Sequence, residues 1–307
     1  MQSYADGGVK LTTRYRAVVF LSVGLALLLL SVRPSLAYFE RFFISTRTFS
    51  LGGAFVALAD DPSAAVLNPA GLTQLSSAGF LASYVRPYDV SDLEEHYIAA
   101  AVPTSIGAFG VSWHRFGLRD VTSEDLITLA YGRDYIRTSQ DASLSFGGSV
   151  DIARVDIRDT YNASKTVVSG SAGVLLQPFP IIGLGYSVRN IGQPSFDFVA
   201  GGGKTTLKTT QSVGLAYHWR RRFSLFLQTD KGQDGKWRNA LGLEYVTGRE
   251  LMLRAGLSDG DVAGGVGLKV SGLTVDLGMS SHDMLGVSYL VSVGFALPTA
   301  TPEDEEW

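Results

Sequence analysis

The chain has 307 residues, 46% hydrophobic and 18% charged, with a formal net charge of −3, 35 glycines, 10 prolines and no cysteine. The acidic balance argues against nucleic acid as a partner. The missing cysteine excludes disulfides, thiolate metal sites and a lipid-modified N-terminal cysteine, so an exported chain of this size relies on its own core or on a lipid environment.

The first 37 residues read as a secretory signal. Lys10, Arg14 and Arg16 give a basic start, Ala17 to Val32 is uncharged with a centre at Leu27 to Leu30, and Ser35-Leu36-Ala37 supplies the small residues of a cleavage site before Tyr38. The sixteen-residue apolar run is short against the ~20 residues of a membrane-spanning helix. Cleavage removes four of 26 basic residues and one of 29 acidic ones, which leaves 22 against 28, a formal charge of −6.

Residues 38–76 do not alternate. Asp61 before Pro62 reads as a helix N-cap with proline at the first helical position. Ser63 to Leu67 gives about one turn, which Asn68-Pro69 ends because the residue before proline avoids the helical region. Gly71 offers a left-handed turn into the first strand. Phe55, Val56, Leu58, Val66 and Leu67 need a place to be buried. Asp60-Asp61 has the form of a carboxylate pair for acid–base work, but reads better as a helix cap plus a polar contact. Arg189 and Arg254 are suggested as its basic partners.

From residue 77 the pattern changes to a period of two. In the last segment Val287, Tyr289, Val291, Val293, Phe295 and Leu297 share a face, and Ser288, Ser292, Gly294 and Ala296 share the other, with Leu290 the misfit. The pattern predicts fourteen strands at 77–86, 94–103, 107–116, 124–133, 141–154, 166–177, 182–191, 209–219, 222–231, 237–247, 250–258, 262–270, 272–280 and 286–297. An even count lets the sheet close on itself, and lipid requires closure because no water satisfies an open edge there. Turns are expected at Arg220-Arg221, Thr247-Gly248-Arg249, Asp259-Gly260-Asp261 and Ser271-Gly272, with longer outer loops near 155–165 and 192–208. The second face is rich in Gly, Ala and Ser, and aromatics sit near strand ends (Trp113, Tyr131, Tyr135, Trp219, Trp237, Tyr245, Tyr289), so the apolar face is assigned to lipid. On that assignment Val291→Arg costs about 2–4 kcal/mol near the midplane and Ser292→Arg costs less. The expected architecture is all-β, a transmembrane antiparallel barrel of about 14 strands over 77–297, behind a small helical plug (38–76) and ahead of an acidic, disordered tail (298–307).

Motifs for chemistry are weak. Gly203-Lys204-Thr205 lacks the earlier glycine of a P-loop, Phe198 standing in its place. Asp230 to Leu241 fails as a calcium loop at its third and twelfth positions, Gly232 and Leu241. His96, His114, His218 and His282 have no ligand spacing. No catalytic residue, metal or cofactor is expected, and the chain is not read as an enzyme.

The run from Gly52 to Leu72, with Gly52, Gly53, Asp60, Asp61, Asn68, Pro69 and Gly71 at its marked positions, resembles the N-terminal signature of the FadL/PorV-like outer-membrane superfamily. Leu241-Gly-Leu-Glu-Tyr245, Leu253-Arg-Ala-Gly-Leu257, Ala263-Gly-Gly-Val-Gly-Leu268 and Leu273-Thr-Val-Asp-Leu-Gly278 resemble the repeated hairpins of its PorV/PorQ branch. The resemblance implies a fourteen-stranded barrel whose N-terminal segment folds into the lumen. It implies a multi-pass outer-membrane protein in contact with lipid, acting as a scaffold in protein secretion or surface attachment with secretion-system proteins or secreted cargo. The alternative is a FadL-like channel for small hydrophobic ligands. The chain is shorter than a typical FadL-type fatty-acid transporter, which weakens the transfer of fatty-acid binding.

Overall fold

The computed structural model describes Phe39 and residues 44–138, 142–158, 162–197, 204–220, 222–248, 250–282 and 284–297. The expected leader (1–37) and acidic tail (298–307) lie outside the described residues. Two short helices, α1 (Thr46–Ser50) and α2 (Ala64–Leu67), and a 3₁₀ helix (Pro69–Gln74) precede the strands. The strands are β1 (Gly79–Arg86), β2 (Leu93–Thr104), β3 (Gly107–Leu118), β4 (Thr122–Arg137), β5 (Ser143–Ile157), β6 (Ala163–Phe179), β7 (Ile182–Ile191), β8 (Ser195–Phe196), β9 (Thr205–Thr206), β10 (Thr210–Trp219), β11 (Phe223–Lys231), β12 (Trp237–Thr247), β13 (Leu251–Ser258), β14 (Asp261–Val270), β15 (Leu273–His282) and β16 (Gly286–Ala296).

All but β8 and β9 form one closed antiparallel barrel of fourteen strands, each paired with its neighbour in the chain, with β10 following β7. Closure is made by β1 on β16, in register from Gly79↔Ala296 to Arg86↔Tyr289. The even count permits this antiparallel seam and leaves no strand edge in lipid. Among the described residues no helix is long and apolar enough to cross a membrane; the strands cross it.

The two faces separate as the alternation requires. On β16 Val291 is 36% exposed and Ser292 is 1% exposed. Leu253 and Leu257 on β13, Leu277 and Met279 on β15, and Tyr289 and Phe295 on β16 point outward, whereas Arg254, Asp276, Ser280 and Ser288 are buried inside. Leu290, the misfit of the sequence pattern, faces inward and packs with Val85. A continuous apolar exterior on a closed sheet is unstable in water and stable in a bilayer, so this is a multi-pass outer-membrane barrel.

β4, β5 and β6 run longer than their alternation suggests, at 16, 15 and 17 residues. The strands therefore extend into the loop expected at 155–165, β5 to Ile157 and β6 from Ala163. The connection 192–209 stays the longest and carries the small β8–β9 ribbon, Ser195↔Thr206 and Phe196↔Thr205, which alternation over two residues cannot signal. Positive φ at Asp259 and Gly260, and at Ser271 and Gly272, gives the tight hairpins their mirror-image turns. The barrel rim that holds both sheet termini carries only the short connections 105–106, 138–142, 180–181, 220–222, 248–250 and 271–272. The opposite rim carries 192–209 and is the outer one, since barrels keep short turns on the periplasmic side.

Candidate functional site

The chain ahead of β1 lies against inward-facing residues over much of the barrel's circumference. Ser45 caps α1, its Oγ accepting from Thr48 N at 3.1 Å. α1 rests on β13–β16: Thr46 N donates to Ser292 Oγ (2.8 Å) and Ser50 Oγ donates to the Gly264 carbonyl (3.3 Å). The next stretch crosses β10 and β11, where the amides of Phe55 and Val56 both donate to Gln228 Oε1 at 2.8 Å. Gln228 is itself oriented by two bonds to Asp230 (2.9 and 3.0 Å). The segment then turns through α2 and the 3₁₀ helix against β3–β6, where Thr73 Oγ1 meets Ser145 Oγ (3.0 Å) and Gln177 donates to Gln74 Oε1 (2.8 Å). Phe55, Val56, Leu58 and Val66 are all buried in this position, and Leu67 packs against the same clusters.

Close seating depends on glycine. A Cβ at Gly173 would overlap Asn68 Oδ1, one at Gly147 would overlap Ala70 N, one at Gly185 the Val56 carbonyl, and one at Gly256 the Gly52 amide. At Gly242 it would stand 2.8 Å from Leu51 O. The inward glycines of five strands thus form a track on which the segment's backbone lies directly. This explains why so many glycines sit inside strands, where they otherwise weaken pairing.

The marked residues of the sequence motif divide by role. Gly52 and Gly53 have φ of 67° and 88°, and a side chain at Gly52 would also stand 2.6 Å from Leu257 O. Asn68 closes α2 and opens the 3₁₀ helix. Its Oδ1 accepts from Ala70 N (3.2 Å), and its Nδ2 donates to the carbonyls of Val56 (2.7 Å) and Val174 (3.3 Å). Pro69 begins that 3₁₀ helix. Three expectations are corrected. The N-cap of α2 is Ser63, and Asp61 instead accepts from Ser63 N (2.8 Å) and Ser63 Oγ (2.5 Å) one step earlier. Gly71 is not left-handed; it lies inside the 3₁₀ helix, and a Cβ there would overlap Ala59. The basic partner of Asp60 and Asp61 is neither Arg189 nor Arg254 but Arg47, within the same segment.

Arg47 sits at the head of a buried charge chain. Its guanidinium lies 2.6 Å from Asp60, 3.8 Å from Asp61 and 3.0 Å from Glu244 on β12. Glu244 also binds Arg254 (2.7 Å), and Arg254 binds Asp276 (2.5 Å). Burial disfavours the charged Arg47, but the carboxylates of Asp60 and Glu244 outweigh it and raise its pKa well above the ordinary value. Burial also pushes the Asp61 carboxyl above the usual range, against the pull of Arg47.

Between the segment and β7 and β10–β15 a crevice of about 180 Å³ remains toward the outer rim. Phe49, Phe55, Val56 and Leu67 give it an apolar wall, while Arg189, Asp230, Arg238 and Asp261 put charge into the rest of its lining.

No family model matches the sequence, and no curated protein matches it. Solved structures do. The Pseudomonas putida toluene transporter TodX superposes with a TM-score of 0.63 at 11% identity, covering 83% of this chain and 99% of its own. The Ralstonia pickettii toluene transporter TbuX gives 0.61 at 14% identity, covering 85% and 100%. A Pseudomonas aeruginosa FadL homologue gives 0.60 at 14% identity, covering 84% and 99%. The fold is that of the FadL-type barrels.

Within this FadL-type barrel, the anchors of the segment were missed in the sequence. α1, Arg47 and Gln228 carry most of the polar seating. The signals were present but faint: Ser45 before a short polar run, one arginine in an otherwise neutral stretch, and a glutamine on the inward face of β11.

Proposed function

We propose that the protein is an outer-membrane channel for small hydrophobic compounds, with its N-terminal segment as a plug that occludes the lumen. The observation that carries this reading is the outward-facing crevice whose apolar walls are built by the segment itself. A compound entering from the outer rim meets Phe49, Phe55 and Val56, so the surface that receives it is also the surface that blocks the way. Moving the segment then joins binding to passage. The likeness to toluene transporters and to a FadL homologue supports the channel over the secretion scaffold, whose basis was the hairpin resemblance and the short loops.

Two measurements test the proposal. In planar bilayers the intact protein is expected to conduct little, and a variant lacking residues 38–66 to conduct freely. Equal conductance sinks the plug. Cells whose toluene uptake is limited by the outer membrane should take it up faster when they make this protein. Unchanged uptake from cells with the folded protein in the outer membrane sinks the hydrophobic channel.

A further inference from the structure

We propose that the outer rim of β2–β5 carries, on its lipid-facing side, a binding site for the phosphate of an acyl-chain lipid in the outer leaflet. The site is separate from the lumen crevice and independent of the channel reading.

Its starting point is an asymmetry of charge. In the outer half of the barrel, the outward faces of the strands carry Arg86, Glu94, Arg115, Asp125, Arg154 and Asp156 on β1–β5. Among the described residues Lys231 is the only formally charged strand residue on that face elsewhere in the outer half. Within this sector a cavity of about 170 Å³ is lined by His96 and Glu94 of β2, Arg115 of β3, Arg119 and Asp120 of the following turn, and Arg158 after β5. Three arginines face two carboxylates, which leaves a formal excess of one positive charge before His96 is counted.

The arginines are unequally engaged. Arg119 is bound to Glu94 at 2.6 Å. Arg115 donates to Ser123 Oγ (3.2 Å) and stands 3.8 Å from Asp125, beyond hydrogen-bond reach. Asp125 is occupied instead by the indole of Trp113 (3.1 Å). The backbone amide of Arg158 is fixed to Val121 O (2.8 Å), and Asp156, its acidic neighbour, takes both bonds from Arg154 (2.9 and 2.9 Å). Arg115 and Arg158 both line the cavity, and among the described residues neither guanidinium is hydrogen-bonded to a carboxylate; such planar forks match a phosphate.

Position supplies the second argument. Directly below the cavity the same strands present Ile98, Val111 and Ile127, all exposed, with Trp113 at the boundary. A phosphate held by Arg115 and Arg158 would have its acyl chains against that apolar surface, the arrangement by which basic clusters at a membrane boundary take anionic headgroups. A free anion gains nothing from the apolar surface, which is why the lipid is the assigned ligand.

The test uses the purified full chain in detergent with bisphosphorylated lipid A as probe and native mass spectrometry as readout. The double variant Arg115→Gln/Arg158→Gln should lose retention by about tenfold or more, since a hydrogen bond to a charged group contributes ~1.5–3 kcal/mol. Lys231→Gln should retain the lipid like the parent. Heat-modifiable migration on gels reports folding of each variant, and Arg158→Gln alone, at an exposed position after β5, stands in if the double variant misfolds. Equal retention in parent and arginine variants overturns the site. Displacement of the lipid by an equal concentration of inorganic phosphate overturns the lipid assignment.

Discussion

Arg47 stands between Asp60, Asp61 and Glu244, and its removal leaves three carboxylates in a mostly buried space with only Arg254 nearby. Breaking one partner of a buried ionic group is costly because the remaining charges stay desolvated. Arg47→Ala is expected to lower stability by about 3–5 kcal/mol in urea unfolding from lipid vesicles, with a parallel rise in bilayer conductance. Asp61 behaves differently. Its raised pKa means that the folded state holds that proton more tightly than the unfolded chain does, so ionisation at neutral pH costs stability and acidification relieves the cost. Asp61→Asn keeps an oxygen for Ser63 and removes the desolvated charge, so its unfolding midpoint at neutral pH should equal or exceed the parent's. Its advantage should shrink as pH falls through the folded pKa of Asp61 and be gone below the pKa of the unfolded chain. A lower midpoint at neutral pH would show that Asp61 is held as a working partner of Arg47.

At the scale of elements, the strands and the N-terminal segment were legible to different degrees. Alternation marks a strand whenever one face meets lipid and the other meets small or polar neighbours, and it placed all fourteen barrel strands. It under-reads β4, β5 and β6, whose end residues do not carry the apolar–small contrast between faces. It cannot say what fills the lumen, because an inward glycine looks the same whether it faces water or a backbone. Gly185 distinguishes the two: a side chain there meets the Val56 carbonyl. Gly185→Val should therefore raise conductance by lifting the segment while leaving heat-modifiable migration intact. Unchanged conductance would mean that the segment is not seated on this wall. The register also revises one expectation. Val291→Arg places a charge in lipid and should cost about 2–4 kcal/mol near the midplane. Ser292→Arg is no mild control, since Ser292 is covered by Thr46. Ser258→Arg, which faces the crevice, is the substitution expected to cost little.

For the whole molecule, the closed barrel and its apolar exterior follow from period-two patterning and from the demand that no backbone group go unpaired in lipid. The function does not follow in the same way. Hairpin resemblance favoured a secretion scaffold, whereas the crevice walled by Phe49, Phe55 and Val56 exists only after folding has brought three separated stretches of chain together. No periodicity records such a surface. The candidate site was thus legible as a segment and illegible as a cavity.

The seam where β1 meets β16 has a consequence for how the barrel stays closed. The segment runs straight into β1, Ser83 of β1 donates to the Ile44 carbonyl (2.5 Å), and Ser292 of β16 is bonded to Thr46. The first and last strands of the barrel are therefore joined across the segment that precedes them. In the folded state the seam is therefore bridged on its inner side by the stretch of chain that precedes it, so the closing pair of strands is held together by the segment as well as by its own ladder.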